Sequence, residues 1–252
     1  MKDNIASTLL TKNKVEKIST KDLQQQDYME AIKAFARLTY ESVYVIDYEK
    51  MAFEYVSESP LFLCGYSPQE VLGLGYEFYL KNVPEKDLAL LSLINEAGFD
   101  FFNKLPDEEK KHYSITYDFH LINREGKLTL INHKLTPLFL TSGGKMWKAI
   151  CIVSISHHQQ AGNICIYKQG TDDLWALNIE SKSWQKSEKP KLSKREIEIL
   201  QLHAQGLTIN QIAKKIFVVP DTVKYYRRRI FERLEVNNMV EALSRAVNSK
   251  MI

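Results

Sequence analysis

Residues 192–248 carry the pattern that most narrows what this chain can build: four short helical segments, each with its start or stop written in the sequence. Three open on a capping sequence, Ser193-Lys-Arg-Glu196, Thr208-Ile-Asn-Gln211 and Asn238-Met-Val-Glu241. There the first side chain accepts the backbone N–H three residues on, and the Glu or Gln reaches back to the first residue's own N–H. Behind the first cap, Ile197, Leu200 and Ala204 share a face until Gly206 stops the helix. Behind the second, Ile209, Ile212, Ala213 and Ile216 repeat at i, i+3, i+4, i+7, the stripe of a half-buried helix. The third segment starts near Pro220, a residue suited to the first helical position, and places Val223, Ile230 and Leu234 on one side. The fourth carries Val240, Leu243 and Val247. At about 100° per residue, Asp221, Lys224, Tyr225, Arg228 and Arg229 point away from the apolar side of the third segment. Two short helices followed by a long basic one is the geometry in which the second supports the third in a major groove. Arg and Lys neutralise phosphates or donate to guanine edges, and Tyr reaches a thymine methyl or a phosphate.

Leu192-Ser-Lys-Arg-Glu-Ile-Glu-Ile-Leu200, Gly206-Leu-Thr-Ile-Asn-Gln-Ile-Ala213, Thr222-Val223-Lys224, Ile230-Phe-Glu-Arg-Leu234 and Glu241-Ala242 together resemble the LuxR/FixJ-type helix-turn-helix, over about 55 residues without a gap. The resemblance implies an all-α four-helix domain that binds double-stranded DNA as a dimer, with helix four in the dimer contact and helix three in the groove. By position it implies base and groove contacts for Lys224, Tyr225 and Arg228, and phosphate contacts for Thr222 and Lys214. Arg229, on the outward side of helix three, and Asn210, in helix two, complete the candidate DNA-binding set. The chain also departs from the pattern. Val219 stands where the family has a capping Ser, a loss of about 1 kcal/mol that Asp221 in the first turn offsets in part. Tyr226 replaces a frequent His. Arg227 lies on the inward side, where a guanidinium needs an anion; pairing with Glu196 is expected, against the alternative that Arg227 snorkels outward and Glu196 only caps its helix.

The preceding residues change texture. Ser42–Tyr48 and Ala52–Val56 are rich in β-branched and aromatic residues and read as two strands. Residues 57–105 read as helical, with a capping box at Ser67-Pro-Gln-Glu70. Three strand-like runs follow, His112–Ile122, Lys127–Leu140 and Met146–Ser156, joined by turns at Asn123–Gly126 and Ser142–Gly144. Ile164–Lys168 and Leu174–Ile179 read as an extra hairpin, and residues 180–191, polar and ending in a Pro-Lys pair, as a linker. Ahead of all this, residues 1–41 read as a leader with an amphipathic helix over 21–40, starting near Thr20 and carrying Leu23, Ile32, Phe35 and Leu38.

The order β-β-helices-β-β-β over residues 42–157, with Tyr55-Val-Ser57, Gly65-Tyr66-Ser67, Gly73 and Pro84-Glu-Lys-Asp87 before a long helix, resembles the PAS fold across about 115 residues. That implies a five-stranded antiparallel sheet holding a small molecule or a partner against one face. The expected fold class is therefore α+β, a PAS-like sensor at 42–157, a hairpin extension and linker at 158–191, and a four-helix DNA-binding domain at 192–252. The ligand is not named by the sequence. Cys64, in Leu63-Cys64-Gly65, lacks the Asn-Cys-Arg setting of a flavin photosensor and reads as a small buried hydrophobe. Asp87–Lys104 contains no haem-type His. His112, His120 and His133 lie on or beside strands, His157-His158 reads as an exposed strand end, and no metal cluster emerges. Tyr44, Phe53, Tyr55, Phe62, Tyr117 and Phe119 read first as plain core, with the lining of a ligand pocket as the alternative. A phosphoacceptor receiver is excluded because the elements do not alternate β/α.

Charge is divided unevenly. Residues 191–252 hold 12 Lys+Arg against 6 Asp+Glu, and the rest 22 against 25, a basic tail on a mildly acidic body that suits a polyanion. Cys64, Cys151 and Cys165 form no framework and fit reduced thiols. Neither a signal core nor an 18-residue apolar run is present, so a cytoplasmic protein without a membrane partner is expected. GxSxG, GxxxxGK[ST], HExxH and GxGxxG are all missing, so no enzyme is expected. The reading is a transcription regulator that binds double-stranded DNA as a homodimer, senses a small molecule, and has RNA polymerase as a further candidate partner. The rivals are a sigma-factor-like or constitutive DNA-binding protein with a non-sensing interaction domain, and an interaction module whose basic helix meets an acidic protein.

Overall fold

The computed structural model describes residues 28–249 and 251–252. The described residues fall into two compact units, one up to Tyr40 and one from Glu41 onward. In the first, helix α1 (Tyr28–Leu38) carries a Glu30–Lys33 ion pair at 2.7 Å, and Phe35 and Leu38 are exposed. Leu23 and the expected start at Thr20 lie outside the described residues.

The second unit opens with β1 (Ser42–Asp47) and β2 (Ala52–Val56), then α2 (Pro60–Leu63), α3 (Pro68–Leu74), α4 (Glu77–Asn82) and α5 (Glu85–Asn103). After one 3-10 turn come β3 (Tyr113–Ile122), β4 (Leu128–Leu140) and β5 (Met146–Ile155). β6 (Gly162–Lys168), β7 (Asp173–Asn178) and β8 (Ser183–Glu188) follow. All pairings are antiparallel, in the order β2-β1-β5-β4-β3-β6-β7-β8. The expected antiparallel sheet is present, and it is longer than the expected five strands. The hairpin at 162–178 is continuous with it because β6 pairs with β3, Ile166 opposite Ile115. Half of the stretch read as a linker is instead β8, paired residue for residue with β7. Trp184 explains why: the one large apolar side chain in that polar run donates Nε1–H to the Ala97 carbonyl at 3.2 Å and packs edge-on against Phe101.

Strand alternation puts Tyr44 and Ile46 of β1, Phe119 of β3, Ile131 of β4, and Cys151 and Val153 of β5 into one core with Phe62 and Phe78 from the helices. Tyr44 and Phe62 stack with centroids 4.2 Å apart. Ser67 and Glu70 form the reciprocal capping box expected at the start of α3, after Pro68 at the first helical position.

Four helices complete the chain: α6 (Lys194–Ala204), α7 (Ile209–Lys215), α8 (Pro220–Leu234) and α9 (Met239–Asn248). They enclose a second core in which Ile199, Leu200, Ile212, Val223, Ile230, Leu234 and Ala242 are fully buried. At roughly 1.5–3 kcal/mol for each large aliphatic side chain removed from water, this small core carries the domain. α6 ends where Gly206 turns left-handed at φ +81°, with the Leu207 N–H returning to the Leu202 carbonyl.

Candidate nucleic-acid interface

The start of α8 is set by its neighbours rather than by its own cap. Val219 has the extended backbone of an N-cap, φ −80° and ψ 152°, but supplies no side-chain bond to the first turn, as expected from the missing Ser. Pro220 occupies the first turn and Asp221 is its acid. α7 is held by the reciprocal Thr208–Gln211 box, which fixes the platform on which α8 lies. Between them Phe217 sits at φ +57° and is 94% exposed.

The helical phase of α8 sorts its residues cleanly. Val223, Ile230 and Leu234 are buried; Asp221, Lys224, Tyr225 and Arg228 are exposed, and Arg229 is intermediate. Among the described residues nothing covers the outward face, which Asp221, Lys224, Tyr225 and Arg228 leave exposed. Lys224 and Asp221 make a surface pair at 2.9 Å with both side chains largely in water, a contact of at most about 1 kcal/mol that a phosphate or base readily replaces. Among the described residues none bonds or pairs with Arg228. Arg229 donates Nη1–H to the Tyr225 hydroxyl at 3.0 Å. Lys214 and Asn210 are exposed on α7 and Thr222 is half-buried in the first turn of α8. The structure therefore leaves Lys224, Tyr225 and Arg228 together on one accessible face, with Thr222 in the first turn of the same helix and Asn210 and Lys214 on α7.

The expected Arg227–Glu196 pair does not form. Glu196, 1% exposed, receives Arg233 Nη1 at 3.2 Å and Arg229 Nε at 3.8 Å, while its Oε2 also accepts the Ser193 N–H at 2.7 Å. Arg229 and Arg233 are one turn apart and share a face, whereas Arg227 is about 200° round the helix from Arg229. Arg227 lies over the Phe231 ring at 5.8 Å, its Nε unbonded. It also neighbours His203, whose pKa is lowered by partial burial and then by that guanidinium. Arg233 was absent from the candidate set; its i+4 spacing from Arg229 was the available signal. A second correction concerns Asn238: it accepts the Glu241 N–H at 3.0 Å, but the return bond from Glu241 goes to the Asn237 N–H, so the box is displaced by one residue.

In the sheet module an apolar cleft runs between α5 and the strands, lined by Ile94, Phe99, Phe102, Tyr113, Tyr117, Leu135 and Ile166, with Asn95 and Ser114 as polar groups. Gly98 lets α5 lie close, since an added Cβ would stand 3.3 Å from Ile115. Of the six aromatics read as core with a pocket lining as the alternative, only Tyr117 lines this cleft. Tyr44, Phe53, Phe62 and Phe119 are core and Tyr55 is half-buried. In the core of the same module the half-buried Tyr79 and the buried Tyr44 and His133 form a chain, Oη to Oη at 2.7 Å and Tyr44 Oη to His133 Nε2 at 2.5 Å. Burial pushes the His133 pKa down to about 3, so its ring is neutral. His157 and His158 are half-buried rather than exposed: His158 Nδ1 lies 2.5 Å from Asp118, a fully buried carboxylate that also accepts from Asn132 and Asn163. Cys64 and Cys151 are buried and Cys165 is intermediate; burial holds the Cys64 thiol up at about 12. Among the described residues no group of His, Cys, Asp and Glu could hold a metal ion, and no helix is long and apolar enough to cross a membrane.

Residues 190–246 match the family described as bacterial regulatory proteins, luxR family. Transcriptional regulatory protein DesR of Bacillus subtilis is 40% identical over 60 residues, 24% of this chain and 30% of that protein. The chain spans less than a third of the length of the curated relatives it matches, 29% and 30% in two of them. Among solved structures, a Vibrio cholera VqmA-ligand-DNA complex is 16% identical over 88% of either chain, with a TM-score of 0.35. A PAS domain from Colwellia psychrerythraea is 15% identical over 52% of this chain and 98% of its own, with a TM-score of 0.38.

Proposed function

We infer, from the luxR-family helix-turn-helix domain that its C-terminal segment forms, that this chain is a DNA-binding transcription regulator. α8 enters a major groove with Lys224, Tyr225 and Arg228 toward the bases. Thr222, Lys214 and Asn210 lie along the phosphates, and Arg229 stands beside Tyr225. The observation that carries this reading is the accessible outward face of α8 on a helix whose opposite face is fully buried by α6 and α7. The chain works in the cytoplasm as a homodimer joined through α9, whose Val240 and Val247 are 78% and 59% exposed. A dimer places two such helices on half-sites about 10 base pairs apart. The PAS-like module takes a small, largely apolar molecule in the cleft beside α5, and that binding alters how the two DNA-binding domains pair. RNA polymerase is the partner through which a bound dimer would act, and no catalytic step is assigned to the chain.

The test is selection from a randomised duplex pool by the full-length protein, followed by affinity measurements across a salt series. An enriched two-fold site, bound far more tightly than bulk duplex, is expected. Equal binding to every duplex and to an unrelated polyanion would replace this reading with that of a basic interaction module.

A further inference from the structure

Tyr225 projects from the outward side of α8 and is 47% exposed, yet its hydroxyl is held. Arg229, one turn further along, donates Nη1–H to Tyr225 Oη at 3.0 Å. The Tyr226 ring braces Tyr225 edge-on, with centroids 5.5 Å apart. Arg229 is itself anchored from behind, its Nε 3.8 Å from the buried Glu196 carboxylate. Glu196 in turn is fixed by the Ser193 N–H and by Arg233. A buried acid thus orients a guanidinium, and the guanidinium orients a phenol at the accessible face.

This fixes the polarity of the phenol. A guanidinium offers only donors, so its bond to Tyr225 Oη occupies a lone pair and leaves the hydroxyl proton to be given elsewhere. In a major groove, guanine and adenine present N7, guanine also O6 and thymine O4, all acceptors; cytosine presents its N4 amino donor. We propose that Tyr225 is a specificity-determining residue that donates its hydroxyl proton to a base-edge acceptor and disfavours cytosine at that position. Arg229 is its positioning residue and not itself a base or phosphate contact. The proposal rests on the placement of α8 in a groove and deepens it.

The test compares full-length wild type with Tyr225→Phe, Arg229→Ala and the double variant. Base preference is read at every position of the selected site, and affinity is followed against salt. Tyr225→Phe removes one exposed oxygen and leaves the fold intact. It is expected to abolish discrimination against cytosine at one position, about tenfold, with the other positions unchanged. Arg229→Ala is expected to lose the same preference at the same position with an unaltered salt slope, and the double variant to lose no more than either single one. A Tyr225→Phe profile that superimposes on a strongly selective wild type would overturn the proposal while leaving the DNA-binding reading intact. So would an Arg229→Ala variant weakened evenly on all sequences with the salt slope reduced by about one, the mark of a phosphate contact. A wild type that selects no sequence would overturn both.

Discussion

Arg233 Nη1 lies 3.2 Å from Oε2 of Glu196, a carboxylate that is 1% exposed, so the acid that closes the first turn of α6 also clamps the far end of α8. The same Nη1 donates to the Lys191 carbonyl at 2.8 Å, drawing the entry of the domain into the clamp. Removing the acid takes the anion from Arg229 and Arg233, whose side chains are 41% and 37% exposed, and the return bond from the Ser193 N–H. Glu196→Ala is expected to destabilise the C-terminal domain by about 1–2 kcal/mol, chiefly the lost cap with a smaller part from the half-exposed ion pairs. Glu196→Gln, which can still accept from Ser193, is expected to cost about half as much. Far-UV circular dichroism in urea reads the helices. Fluorescence of Trp147, Trp175 and Trp184, all in the sheet, supplies an internal reference. Coincident helix midpoints for wild type and Glu196→Ala would refute the clamp.

The uncapped start of α8 leads to the opposite expectation. Val219 already has N-cap backbone angles and is 64% exposed, so a hydroxyl placed there can accept an orphan N–H of the first turn without moving the chain. Val219→Ser is expected to stabilise the domain by about 1 kcal/mol, seen as a higher helix melting temperature. No gain, or a loss, would mean that the valine side chain contributes packing its exposure does not reveal.

Much of the DNA-binding domain was legible because its signals are local. The Ser193–Glu196 and Thr208–Gln211 boxes, the stop at Gly206 and the buried phase of Val223, Ile230 and Leu234 each depend on residues within a turn or two. The ionic partner of Glu196 was not legible in that way. It depends on where α8 crosses α6, and a rotation of about 200° separates the expected Arg227 from the observed Arg229. β8 was hidden for a related reason. Ser183–Glu188 is polar on almost every position because it is an edge strand, and only its pairing with β7, with Trp184 tucked against Phe101, reveals it. The five central strands were found from alternation and turn residues; the cleft beside α5 was not, since Phe99 and Phe102 read simply as helix residues until the sheet is set against them.

His133 links the core of the sheet module to pH. Its neutral ring is bonded to Tyr44 through Nε2, its Nδ1 has no partner, and burial lowers its pKa from 6.5 to about 3. His157 shifts in the same direction, to about 4, through burial first and then the neighbouring His158. On acidification the unfolded chain binds these protons before the folded one does, so the contribution is complete above about pH 7. It falls as pH drops from 6.5 toward the folded values, with a slope approaching 1.4 kcal/mol per pH unit for each histidine. His133→Gln, which can still accept from Tyr44 but does not titrate, is expected to flatten the acid limb of stability measured by tryptophan fluorescence between pH 6.5 and 4. Parallel acid limbs for variant and wild type would show that His133 is protonated without cost.

Arg228 and Lys214 separate the two kinds of contact that a groove-bound α8 requires. Arg228 is exposed on the outward face with no internal partner among the described residues, so its five donors are available to a base edge. Lys214 is exposed on α7, the supporting helix, and the proposed docking would set it against the sugar-phosphate strand rather than the bases. Arg228→Ala is therefore expected to cost roughly 1–3 kcal/mol on the preferred site and to relax selection at a single position. Lys214→Ala is expected to weaken every sequence alike and reduce the dependence of log affinity on log salt by about one. Both variants leave buried side chains untouched, so unaltered melting curves isolate the effect to binding. If instead Arg228→Ala weakened all duplexes evenly while Lys214→Ala changed the selected sequence, α8 would lie along the backbone with α7 toward the bases, and the proposed orientation of the domain on DNA would be reversed.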